Sequence, residues 1–168
     1  LKTADSWTCK AIPMPALASF PETLELSGLA ADHSGGFHLV ASHRGVVYYW
    51  QWREGVWSAP EALCEPAGGL ATCGVAVGQD GQPVVVYSTT RFFCLQKRGG
   101  KWQKTQLAVP IAQRPVSTPV VADAHGGLHL IASRLGVAVT ADLAAGADPL
   151  SATGWSFLPT TPEASWST

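Results

Sequence analysis

The sequence predicts an all-β fold built from repeats, and three observations predict it. Gly (17) and Pro (12) are plentiful and dispersed, separating short runs rich in Val, Leu, Tyr and Phe, the pattern of many short strands joined by tight turns. A segment running from Leu29 to Ser42 aligns without a gap with Val75 to Ser88 and again with Val120 to Ser133, so that Ser42, Ser88 and Ser133 stand 46 and 45 residues apart. A second marker runs in phase: Trp57, Trp102 and Trp155 each close a unit, and Trp7 looks like the close of the unit before. Two markers sharing one period define a repeat of about 45 residues.

Within the unit four strands are expected. A short apolar strand (Leu29 to Ala31) meets a turn over Asp32 to Gly36, where glycine supplies the positive φ that a tight hairpin needs. The second strand runs from Phe37 to Ala41, and a turn containing Gly45 leads into the third, Val46 to Arg53. After Glu54-Gly55, Trp57 opens the fourth, which extends to Leu63. Four strands in about 45 residues make one β-propeller blade. The expected architecture is therefore about three four-stranded blades, at 28–73, 74–118 and 119–160. The closing strand of a preceding blade and a linker (1–27) come before them, and a tail or the start of a further blade (161–168) follows. In the third unit Asp142 to Thr153 is an Ala/Gly-rich insertion, expected to protrude or to mark the edge of the array.

Closed propellers carry about four to eight blades. Three leave two apolar radial faces without a neighbour, so further blades, identical chains or other subunits are expected to complete the ring. The chain starts at Leu1 rather than Met, which favours a processed chain or a piece of a longer one.

Composition excludes several classes. Charged residues are 14% and apolar residues 46% of the 168, and the net charge is -1, so no global field favours nucleic acid or an anionic membrane. No apolar run reaches the 18 or so residues of a membrane span. Cys9, Cys64, Cys73 and Cys94 form no CxxC pair, and no His stands at metal-ligand spacing, so no zinc site is expected. Cys64 and Cys73 flank a Gly-containing loop that a disulfide would close, the alternative being two buried thiols at strand ends. Few lysines and many tryptophans favour an extracellular or cell-surface location.

The Asp-x-x-Gly-Gly turn at Asp32 and Asp123, the apolar second strand with His38 or His129, and the tyrosine-rich third strand ending in Gly55 to Ser58 resemble the sialidase-like, Asp-box (BNR-type) propeller repeats of secreted bacterial proteins. The likeness spans about Trp7 to Trp155 and lies at the level of the blade. A full Asp-box has Ser-x-Asp-x-Gly-x-Thr-Trp, whereas here Arg53 to Trp57 and Lys97 to Trp102 stand in its place. The resemblance implies, as an alternative function, a fragment of a sialidase-like glycoside hydrolase in which three arginines hold a substrate carboxylate and missing blades supply the rest.

Arg44, Arg91 and Arg134 fall near the turn between second and third strands, where three guanidiniums on one rim would suit an anion; they are out of register with one another, which favours solvated turn arginines. Asp32, Asp80 and Asp123 recur in hairpin turns and cap their own backbone. Glu54, Glu61 and Glu65 are scattered, so no acid–base pair can be placed. Each turn offers one carboxylate, too few for calcium; neither metal nor cofactor is expected. His38 and His129 recur at one strand position as packed histidines, and His33, His43 and His125 lie on turns. Tyr48, Trp50 and Trp52 alternate onto one face of a third strand with Tyr49 on the other, either as a surface for glycan or protein or as packing between blades. The sequence thus reads as a non-catalytic binding or structural module.

Overall fold

A computed structural model describes residues 11–13, 25–65, 71–109, 118–134 and 137–160. The expected closing strand around Trp7, the loop 66–70, Cys9 and the tail 161–168 lie outside the described residues.

The fold is all-β. Three antiparallel sheets follow one another along the chain. Sheet 1 contains β1 (Glu25–Ala31), β2 (Phe37–His43), β3 (Val46–Arg53), β4 (Val56–Trp57) and β5 (Glu61–Ala62). Sheet 2 contains β6 (Thr72–Val77), β7 (Pro83–Ser88), β8 (Phe92–Arg98) and β9 (Lys101–Leu107). Sheet 3 contains β10 (Val120–Ala122), β11 (Leu128–Arg134), β12 (Val137–Leu143) and β13 (Trp155–Thr160). Sheets 2 and 3 are meanders in which neighbours in sequence are neighbours in space, and sheet 1 follows the same order from β1 to β4 with β5 also on β3. The first strands β1, β6 and β10 lie side by side in that order.

Two-residue turns set the register. Arg44-Gly45 and Glu54-Gly55 both hold positive φ (50° and 75°; 49° and 84°) between the pairs His43↔Val46 and Arg53↔Val56, which is the mirror-image turn whose twist matches a hairpin. Gly99-Gly100 does the same between Arg98 and Lys101. The fourth strand of sheet 1 is not continuous as expected. β4 and β5 both pair with β3 but part at Ser58–Pro60, where Pro60 lacks the N–H a ladder requires.

Strand alternation gives each sheet a leading and a trailing face. Val40, Val47, Tyr49 and Leu63 on the trailing face of sheet 1 pack against Cys73, Val75, Val85, Tyr87 and Leu95 on the leading face of sheet 2. Ala76, Val84, Val86, Phe92 and Cys94 on the trailing face of sheet 2 pack against Val120, Leu128, Leu130, Ala132 and Ala141 of sheet 3. At about 25 cal/mol per Å² of apolar area, these two seams hold the sheets together. Gly74 is required at the second: a Cβ there would meet the carbonyl oxygen of Thr118 at 2.4 Å.

The insertion after β12 does not protrude. It folds back as consecutive turns closed by Ala147 N–H to Ala144 C=O (3.0 Å), Ser151 to Asp148 (3.0 Å) and Gly154 to Ser151 (3.2 Å). The buried indole of Trp155 donates to the Pro149 carbonyl at 3.1 Å. This corrects the expectation of a projecting loop; Trp155 and Arg98, described below, tie it down.

Candidate functional site

The arginines come first. Arg44 opens its two-residue turn and is exposed. Arg91 ends a three-residue turn between Ser88 and Phe92 and donates from Nη1 to Gln106 Oε1 at 3.1 Å, within its own sheet. Arg134 is a strand residue paired with Val137, and its side chain lies outside the described residues. Arg44 and Arg91 lie in turns after the second strand of their sheet whereas Arg134 ends its second strand, so the three occupy different backbone settings.

The aromatic face is the leading face of sheet 1. Trp50 is fully buried and donates from Nε1 to the Pro13 carbonyl at 2.6 Å. Ile12 packs on Leu39, Ala41 and Trp50, so residues of the chain's own first segment cover the middle of that face. Tyr48 lies 6.1 Å from Trp50, and half-buried Trp52 lies 5.3 Å from Phe37. Packing is thus the role of Trp50, while Tyr48 and Trp52 keep partial exposure.

Cys64 and Cys73 are thiols, not a disulfide. Cys64 Sγ faces the Gly45 carbonyl at 3.7 Å and accepts from Val47 N–H at 3.4 Å, which holds it on sheet 1. Cys73 is buried on β6 of sheet 2. Burial pushes the Cys64 thiol up, and that of Cys94 to about 12. Among the described residues no group of three or more His, Cys, Asp or Glu side chains could hold a metal ion.

The Asp turns are locally satisfied. Asp32 Oδ1 accepts from Ser34 N–H (2.8 Å), Ser34 O–H (2.7 Å) and Gly36 N–H (2.8 Å). The Ser34 hydroxyl bond, then those of the Gly36 and Ser34 amides, hold its carboxyl far below the usual range against the opposing effect of burial. Asp32 Oδ2 meets His38 Nε2 at 3.3 Å, and His38 Nδ1 meets Tyr49 O at 2.7 Å. Burial lowers the His38 pKa and raises that of Tyr49, and the imidazole bridges Asp32 and the tyrosine through its two nitrogens. At the same repeat position His129 sits between Asp123 (Nε2, 2.9 Å) and Asp142 (Nδ1, 2.7 Å). Those two bonds raise its pKa, and its bond to Asp123 is the first cause that lowers that carboxyl to about 2. In both histidines the two ring nitrogens are hydrogen-bonded within their own sheet.

A cleft of about 490 Å³ opens between the turn ends of sheets 2 and 3, under the insertion. Its polar wall is a relay. Gln96, buried on β8, donates from Nε2 to Asp80 Oδ2 (2.9 Å) and accepts on Oε1 from Arg98 Nε (2.7 Å). Arg98 then pairs with Asp148 of the insertion, whose carboxyl it lowers. The apolar wall is Leu128, Leu143, Ala147 and Pro149. Gly126 joins the sides, since a Cβ there would meet Gln79 Cβ at 2.8 Å. The sequence reasoning missed this site. Its signal was the Gln-x-Arg that ends the third strand twice, at Gln51-Trp52-Arg53 and Gln96-Lys97-Arg98. In sheet 1 the same two side chains lie together, and with the Gln51 amide turned to place its oxygen toward the guanidinium, Gln51 accepts from Arg53 Nε at 2.8 Å. There, however, His38 and Tyr49 occupy positions that are Val84 and Cys94 in sheet 2, and Trp102 packs on Tyr49 at 4.9 Å.

No family model and no curated protein matches the chain. Among solved structures, it is similar to a protein of unknown function from Bacteroides caccae at 17% identity, with a TM-score of 0.47. The match covers 72% of this chain and 42% of that one, so the chain spans less than half of that protein's length.

Proposed function

We propose that the chain is a non-catalytic segment of a β-propeller-type array, a binding or structural module that works by packing against a further sheet of the same kind. The observation that carries this reading is the trailing face of sheet 3. Val40 and Val86 are fully buried under the next sheet, yet Ile131, at the equivalent position, is 49% exposed. Val121 and Leu158, beside it on that face, are 58% and 59% exposed. An apolar set at positions that the repeat elsewhere buries marks a surface meant for a neighbour. At the other end, Leu29 is exposed where Val75 and Val120 are buried, although Ile12 already covers the strands beside it. The different backbone settings of Arg44, Arg91 and Arg134 support a non-catalytic role over the glycosidase fragment.

The test is native particle mass by light scattering, with apolar-dye binding, on the chain and on Ile131→Lys. The reading expects association or dye binding by the parent chain, lost in Ile131→Lys with stability held to within about 0.5 kcal/mol. Val86→Lys, the buried counterpart, is expected to cost about 4 kcal/mol or more. A parent chain of 17.6 kDa that stays monomeric and binds no dye sinks the reading.

A further inference from the structure

We infer that the cleft between sheets 2 and 3 is a binding site for a neutral polyhydroxylated ligand, such as one or two sugar rings. The cleft is lined by residues of sheets 2 and 3 and the insertion, away from the trailing face of sheet 3, so this assignment stands or falls independently of what covers that face.

Three features carry it. The first is investment: the third unit alone carries the insertion that roofs the cleft. That insertion is fixed from below by Trp155 and from sheet 2 by Arg98. A loop that served only to link β12 to β13 needs no such ties, since the equivalent link in sheet 2 is Gly99-Gly100 alone.

The second feature is the polar wall. Gln96 is 2% exposed, and its amide is locked at both ends, by Asp80 and by Arg98. Capacity remains after those bonds. The amide nitrogen has a second N–H, the guanidinium has donors beyond those given to Gln96 and Asp148, and each carboxylate has lone pairs to spare. Acceptors and donors therefore alternate along one wall in the order carboxylate, amide, guanidinium, carboxylate. A hydroxyl donates and accepts at once, and vicinal hydroxyls match such an alternation. Arg98 is already neutralised by Asp148, so an anion would have to displace a formed ion pair. An amine would have to compete with Arg98 for Asp148.

The third feature is the remaining lining and the size. Half-buried Ala147 and the edges of the buried Leu128, Leu143 and Pro149 complete the lining with apolar atoms, and the volume of about 490 Å³ falls within the usual range for small-molecule sites.

The experiment is an amide NMR titration with the methyl glycosides of glucose, galactose, mannose and N-acetylglucosamine at millimolar concentration. Sodium acetate and methylammonium chloride at matched ionic strength are the charged probes. The expected result is saturable shifts at the Gln96 side-chain amide and at Gly126 and Gly146 with at least one glycoside. Binding is expected to weaken about tenfold or more in Ala147→Trp, which fills the cleft, and in Arg98→Met, which removes the donor; each variant is checked for the parent spectrum elsewhere. The assignment is overturned if no glycoside shifts these resonances, if the shifts survive Ala147→Trp, or if acetate or methylammonium produces shifts as large.

Discussion

Single residues carry more strain in this chain than its glycine count suggests. Arg44 and Glu54 both sit at positive φ in turns that favour Asn, Asp or Gly at that place. The same turn in sheet 2 is filled by Gly99 and Gly100. Glu54 is exposed, so replacing it tests the backbone alone. Glu54→Asn is expected to stabilise the fold by about 0.5–1 kcal/mol, measured as a rise in the thermal midpoint. An unchanged or lower midpoint would mean that the glutamate holds the turn by another route. Residue scale is also where the sequence left a choice open: Cys64 and Cys73 are close in the chain, and of the two alternatives, a disulfide or two thiols, the thiols are found, with Cys64 just after β5 of sheet 1 and Cys73 on β6 of sheet 2.

Elements decide how equivalent residues behave. His38 and His129 share one repeat position and both reach the Asp of their turn, yet sheet 2 covers the first and no described sheet covers the second. Burial therefore lowers the proton affinity of His38, whereas the bonds to Asp123 and then Asp142 raise that of His129, from the ordinary value near 6.5. With its folded pKa lowered, His38 contributes stability that is complete above about pH 6.5 and declines as pH falls below it. With its folded pKa raised, His129 contributes stability that is complete below about pH 6.5 and lost as pH rises through the folded value. Imidazole NMR titration should place the two midpoints on either side of about 6.5, and His129→Gln should remove the loss on the alkaline side. Midpoints on the same side would contradict the arrangement. The strands themselves were legible because the Asp/Gly turns and closing tryptophans recur in phase. What was not legible depended on contacts across sheets: the break at Ser58–Pro60 was signalled by Pro60, but the folding back of the insertion rests on Arg98 and Asp148, 50 residues apart in sequence. The cleft was hidden for the same reason, since Gln96 and Arg98 look like an ordinary polar strand end until Leu128 and Pro149 stand opposite them.

Among the described residues, the ladder hydrogen bonds stay within each sheet, whereas side-chain packing and the close backbone approach at Gly74 form the seams between sheets. This division has a mechanical consequence. A chain pulled from its two ends meets three meanders in series, and each unzips hairpin by hairpin without breaking the ladder of its neighbour. Single-molecule extension should show three release steps of similar length, each on the order of 150 Å for about 45 residues at up to 3.6 Å apiece. One cooperative rupture of the full contour would mean that the seams, rather than the sheets, set the unit of resistance. If the three steps appear, tension on such an array is absorbed in instalments, so that one unit can open while those beside it keep their shape.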